Sequence, residues 1–342
     1  MHLQRRDMIK NTGALMATAW LSQGGLSSTQ AQPNRPQREF SRTTPASPVF
    51  SLRQRAITGT QPKSVTVSPD GNLVAVCGFG LPDTDLITLH HPITLQSQGT
   101  IAFEGNAVES VFNADSTTLY VSNFRRNRVH EIDVATTTVT REFRVGGNPK
   151  TMALSPDEQT LYVANWSGLC LSKVDLQAGE EVERWRTRQH PRGLVVHPDG
   201  RIFVACFARH CIYEFAPDGR LIERWQVCSH PRHLAWGDDP NTLYITCTLG
   251  SVGWWDIRTR RRIGFAPTGR NPRTLALSGP KDLAATANFD SGDVSVIDLH
   301  NLTHSKVELP DADQIVGLDF HPQWPIIYAT SWNTNELLML TP

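Results

Sequence analysis

The sequence predicts an all-β fold, a seven-bladed β-propeller, because one pattern of alternating apolar residues recurs seven times, at a period of about 40 to 45 residues, and the chain ends supply complementary parts of one unit. In order, the units open at QPKSVTVSPDGNLVAVCGF from Gln61, NAVESVFNADSTTLYVSNF from Asn106, NPKTMALSPDEQTLYVANW from Asn148 and HPRGLVVHPDGRIFVACF from His190. HPRHLAWGDDPNTLYITC from His230, NPRTLALSGPKDLAATANF from Asn271 and DQIVGLDFHPQWPIIYATSW from Asp313 complete the series.

Each unit alternates with period two, as in Val65 and Val67 and then Leu73 and Ala75, and breaks at a turn such as Pro69-Asp70-Gly71 or Pro198-Asp199-Gly200. A second pair of strands follows, for example residues 128–134 and 139–145. Four short strands cannot cover their own apolar faces, whereas seven such sheets stacked around an axis can. The last unit ends with ELLMLTP (336–342), a third strand without a fourth, while FSLRQRAITGTQPK (50–63) aligns with fourth strands such as residues 221–232. The N-terminal strand is therefore expected to complete the last blade and remove the open sheet edges.

Residues 1–31 read differently. Arg5-Arg6, then Asp7, Met8, Ile9 and Lys10, a short apolar stretch at 14–21 and Thr29-Gln30-Ala31 resemble a twin-arginine export signal with its cleavage site. The apolar stretch is too short to span a bilayer. The resemblance implies a periplasmic protein exported in folded form, a route associated with cofactor loading. Residues 32–48, rich in Pro, Ser, Thr and Arg, read as a disordered tether, leaving 49–342 for the propeller. The 33 basic and 33 acidic residues balance, so no global field favours nucleic acid or an anionic membrane. The expected working form is a monomer without a transmembrane segment, whose partner is an anionic small molecule or a periplasmic protein.

YVSNF (120–124) and YVANW (162–166), with SPD-type turns before such strands, are similar to the YVTN-repeat family of seven-bladed propellers, related to lactonase-like and quinoprotein-like groups. The resemblance covers residues 50–342 and implies the fold more than any activity. Where its template carries Asn, this chain keeps Asn123, Asn165 and Asn288 and substitutes Cys77, Cys206, Cys247 and Ser331.

In such a fold the loops between strands two and three, and from strand four to the next blade, converge around the channel mouth. The residue after the repeated Pro is Lys63, Lys150, Arg192, Arg232 or Arg273, a ring of cations suited to a carboxylate, phosphate, sulfate or lactone-derived acid. A row of aromatics, Phe124, Trp166, Phe207, Phe289 and Trp332, follows the Asn position and either stacks on a ligand or packs between blades. Within that row the expected ligand contacts are Trp166 and Trp332. His190 and His230 precede the Pro in blades four and five. With Cys206 and Cys247 they form a set of metal-ligand type, although no short-spaced metal motif is present. Alternatives are a Cys206–Cys247 disulfide, a Cys211–Cys228 disulfide or free buried thiols; Cys77 and Cys170 have no evident partner. The expected ligand-binding residues are thus Lys63, Lys150, Arg192, Arg232, Arg273, His190, His230, Asn123, Asn165, Trp166, Asn288 and Trp332. No cofactor is identified.

His197 and His321 read as turn residues of the opposite face, and the Arg258 to Arg262 run as a solvated rim. No G-x-S-x-G elbow or Ser-His-Asp order is found. Three classes remain open: a binding or scaffold propeller for an anion or a protein; a lactonase- or lyase-type enzyme drawing its base from Glu109, His190, His230 or His233; and a metal- or redox-cofactor propeller.

Overall fold

The computed structural model describes residues 48–80, 87–280 and 282–342, so the export signal and all but the end of the tether lie outside the described residues. Those described form seven four-stranded antiparallel sheets, and apart from one 3-10 turn, Phe207–Arg209, every element is a strand. Blades one to six occupy residues 62–101, 107–144, 149–186, 191–226, 231–267 and 272–307, each paired in chain order. Blade seven is built from 315–341 and closed by the N-terminal strand Ser51–Ile57, which pairs antiparallel with Glu336–Thr341 from Ser51↔Thr341 to Ile57↔Glu336. No helix among the described residues is long and apolar enough to cross a membrane.

The core is a circle of apolar layers between neighbouring blades. Ala75, Ile87 and Leu89 of blade one pack with Leu119, Val121 and Ile132 of blade two, and each successive pair of sheets repeats the arrangement. The closing layer joins blade six (Val294, Val296) to blade seven (Leu318, Leu338, Leu340) and takes in Phe50, 3% exposed, edge-on to Phe320 at 6.4 Å. Arg55 adds an ion pair to Glu336 at 3.1 Å.

The turns between strands one and two act as inter-blade clasps. In blade one Ser68 Oγ donates to Asp70 at 2.6 Å and accepts the Leu73 amide at 3.0 Å, which closes the turn. Gly71 has φ +76°, and a Cβ there would lie 2.7 Å from the His321 ring, so glycine is required twice over. His321, 1% exposed, bonds the Gly71 carbonyl at 3.0 Å, and His197 does the same for Pro240 at 3.0 Å. These two histidines are turn residues, and they also tie blade seven to one and blade four to five.

Because Phe50 anchors the closing strand, Phe50→Ala is expected to cost about 3–5 kcal/mol, read as a lower urea midpoint. An unchanged midpoint would show that closure does not limit stability.

Candidate functional site

In every blade the innermost strand loses register just after the Pro position: between Pro62 and Ser64, Ala107 and Ser110, Pro149 and Met152, Pro191 and Leu194, Pro231 and Leu234, Pro272 and Thr274, and Ile315 and Leu318. A bulge re-aims the side chain it carries, and here it carries Lys63, Lys150, Arg192, Arg232 and Arg273, with Val108 and Val316 in the remaining two blades. Hydroxyls of the second strand take up freed amides: Glu109 N–H donates to Ser122 Oγ at 3.1 Å, His233 N–H to Thr246 at 2.8 Å and Gly317 N–H to Thr330 at 2.8 Å.

The bulges bring like charges together. Lys63 and Arg232 are each 8% exposed. Burial, reinforced by Arg192, Arg273 and Arg232, pushes the Lys63 ammonium down to about 7 against a pull from Glu109, whose Oε1 lies 4.0 Å from Nζ. Lys150 is likewise pushed well down, first by burial and then by Arg192 and Lys63. Burial lowers Arg192, Arg232 and Arg273 too. A guanidinium keeps its charge under such a penalty, so the site holds unmatched positive charge. Glu109 acts on it from blade two and Asp290 acts on Arg232 and Arg273.

Among the base candidates, Glu109 and His233 join this cluster. Burial lowers His233, Glu109 opposes, and Lys63 and Arg192 reinforce the fall. Its Nδ1 accepts the Leu275 amide at 3.3 Å, which leaves the proton of the neutral ring on Nε2. His190 and His230 lie in the loops entering blades four and five, each against a ring that Arg192 also meets. His190 stacks on Trp166 at 4.6 Å and bonds the Trp166 carbonyl through Nδ1 at 2.9 Å. His230 bonds Ser229 Oγ at 2.9 Å and meets Phe207 at 4.6 Å and His210 edge-on at 4.4 Å.

Four rings of the aromatic row, Phe124, Trp166, Phe207 and Phe289, face the protein's own cations. Lys150 Nζ lies 4.9 Å from the Phe124 ring and 5.3 Å from Trp166, and Arg192 lies 5.4 Å from Trp166 and 5.7 Å from Phe207. Arg232 lies 4.9 Å from Phe207 and Arg273 3.2 Å from Phe289. Such faces stabilise a cation without neutralising it. Sequence reading missed a sixth ring, Phe79, which touches Phe124 at 5.8 Å and Trp332 at 5.7 Å. The reason is register: Pro62 pairs with Gly78, so Gly78, not Cys77, occupies the Asn position of blade one and Phe79 the aromatic position. In blade five Thr248 replaces the ring, accepting from Arg232 Nε at 3.1 Å and donating to the His230 carbonyl at 2.8 Å.

Asn123, Asn165 and Asn288, expected to face a ligand, have no exposed surface. Asn123 donates to the Glu104 carbonyl at 2.8 Å, Asn165 to Ser172 at 2.8 Å and Asn288 to Asp293 at 2.6 Å, each within its own blade or the loop entering it. Their side chains press on the residue three before the Pro position or its neighbour: a Cβ on Gly146 would fall 2.7 Å from Asn165, and one on Gly269 2.7 Å from Asn288.

That contact explains the cysteines. Cys228 stands where Gly146 and Gly269 stand and Cys247 where the asparagines stand, and the two form a disulfide with Cα atoms 5.6 Å apart. Neither the Cys206–Cys247 nor the Cys211–Cys228 pairing forms, because Cys247 points into its own entering loop and Cys206 and Cys211 oppose each other across strands two and three of blade four. Cys77, Cys170, Cys206 and Cys211 are free and buried. With Cys247 oxidised, the His190, Cys206, His230 and Cys247 set does not assemble, and no group of three or more His, Cys, Asp or Glu suited to a metal occurs among the described residues. In the Arg258 to Arg262 run, Arg260 leaves the rim to reach the buried Glu214 of blade four at 3.2 Å.

Fold and site together define a seven-bladed propeller with a cation–aromatic collar around its inner strands. Within it, residues 146–249, which hold Lys150, Arg192, Arg232 and His233, match the family model of the SMP-30/Gluconolactonase/LRE-like region. No curated protein matches the chain. Among solved structures, Kuenenia stuttgartiensis hydrazine synthase aligns with TM-score 0.73 and 18% identity over 82% of this chain and 96% of that one. The Myceliophteria thermophila Cps50 (Swd1) β-propeller domain aligns with TM-score 0.71 and 12% identity over 86% of this chain and 100% of that one. At these identities the likeness is one of fold.

Two outcomes follow from the geometry. Reducing the Cys228–Cys247 link, which closes a 19-residue separation, is expected to cost about 3 kcal/mol. The paired change Cys228→Gly with Cys247→Asn restores the contact used elsewhere and should make thermal unfolding insensitive to dithiothreitol. For Lys63, the folded-state pKa of about 7 lies below the ordinary lysine value of 10.5, so between them the unfolded chain holds the extra proton and stability rises with pH. Lys63→Met should flatten that slope and, below it, stabilise the protein by about 1–4 kcal/mol, measured by urea unfolding across the same pH range.

Proposed function

We propose that this protein is an exported, periplasmic binder of a small organic anion, held by the cation collar on the inner strands. The observation that carries the reading is the charge imbalance: Lys63, Lys150, Arg192, Arg232 and Arg273 converge on bulged strands, with the Glu109 carboxylate 4.0 Å from Lys63. Clustered cations are unfavourable without a counter-charge, and a carboxylate or phosphate lying between guanidinium groups supplies it through charge-assisted, bidentate hydrogen bonds. The export part of the reading rests on Arg5-Arg6 and the apolar stretch that follows.

A second reading is hydrolysis of a lactone to a hydroxy acid, supported by the family match over residues 146–249. Here Glu109 or His233 would accept a proton from the attacking water, the lactone C–O bond would break, and the cations would stabilise first the oxyanion and then the carboxylate product.

Thermal-shift titration of the purified protein with malonate, citrate and phosphate tests the binding reading. At least one should raise the melting temperature in a salt-sensitive way, and Arg192→Ala or Arg232→Ala should weaken its binding about 10-fold or more. Shifts unchanged in both variants would overturn the assignment. For the second reading, a lactone panel should show turnover lost in Glu109→Gln or His233→Ala; turnover indifferent to both would remove it.

A further inference from the structure

We infer that Lys63 is an amine nucleophile and that the anion held beside it is a carbonyl acid of the 2-oxo acid class, bound through a protonated imine at Nζ. This inference rests on the anion-binding reading above and names the ligand class for the same site.

The argument begins with residue choice. The chain has only six lysines among its 33 basic residues, so arginine is its ordinary cation. Arginine is also the better static anchor for an oxyanion, being planar, forked and permanently charged. Yet blade one carries Lys at a position where blades four, five and six carry Arg. The other lysine of the ring, Lys150, is pushed down as well, but it lies packed against two aromatic faces. Among the described residues no ring lies under Lys63. Its side chain is 10% exposed, Glu109 is 4.0 Å away, and the charges of Arg192, Arg232 and Arg273 all oppose its own. A buried amine beside other cations is the setting that activates lysine toward carbonyl carbon. Burial and those neighbours hold it at about 7, so near neutral pH a large share is free amine.

The step balances without any redox partner. The Nζ lone pair attacks the ketone carbon while the carboxylate of the ligand lies against the guanidinium groups, and the carbonyl π electrons move to oxygen. Glu109 takes a proton from nitrogen and returns it to that oxygen, giving a neutral carbinolamine. A second proton, from solvent by way of Glu109, lets the C–O bond break and water leave. The C=N bond forms with its positive charge beside the Glu109 carboxylate. The sum is amine, ketone and one proton giving iminium and water. Each arginine keeps its charge throughout and serves only the ligand carboxylate.

The full chain is incubated with pyruvate, 2-oxobutyrate and 2-oxoglutarate in turn, reduced with sodium borohydride, and analysed by intact mass and peptide mapping. The expected result is one reduced adduct per chain, on the Lys63 peptide, with a trapping rate that rises across a midpoint near pH 7, the value set for Lys63. Malonate, which has no ketone, should suppress the adduct by occupying the arginines. Lys63→Arg should abolish it. Because the wild-type map assigns the site directly, the test stands even if that variant does not fold. Label absent from Lys63, or spread over the other lysines, with the malonate shift intact would overturn the imine and leave anion binding standing. Loss of both the adduct and every anion shift would overturn both.

Discussion

The structure depends on one backbone constraint, the bulge that interrupts each innermost strand immediately after its Pro position. A regular strand would send successive side chains alternately into the two inter-blade layers. The bulge breaks that alternation once per blade, turns one side chain out of the apolar layer, and leaves an amide that Ser122, Thr246 or Thr330 takes up. A seven-fold ring of such bulges gathers residues distant in sequence, and five of them carry positive charge.

How that charge is tolerated follows from the rings beside it. Phe124, Trp166, Phe207 and Phe289 each lie within reach of a cation, so the collar alternates charge and quadrupole. Cation–π contact offsets part of the cost of burial but adds no negative charge, which keeps the ring electrostatically incomplete. Lys63 departs from this scheme. It exchanges an aromatic face for a carboxylate neighbour, and burial among the arginines brings its proton within reach of loss near neutral pH. The same blade-by-blade comparison separates roles elsewhere: the buried asparagines bond or pack against the loops entering blades two, three and six, and in blade five a disulfide joins the corresponding two positions.

Both exchanges were visible as letters. Cys228 and Cys247 replace Gly and Asn at positions that touch in sibling blades, but the touching is a property of the loop geometry and has no trace in spacing. Phe79 was hidden for a related reason. Strand two of blade one ends in Cys-Gly with Phe79 just beyond it, and without the pairing of Pro62 with Gly78 the alignment slips by one residue, which in a strand exchanges one face for the other.

The sequence by itself determined the number of blades, the closing strand and the identity of the inner cations, because these are periodic features and a period survives in one dimension. Tertiary structure alone decided which side chains meet. Lys63 lies in blade one and Glu109 in blade two, His233 in blade five and Leu275 in blade six, and their proximity comes from curvature around an axis. Whether a cation faces water or other cations is set by that curvature, and it is what brings Lys63 beside Glu109 and among the arginines.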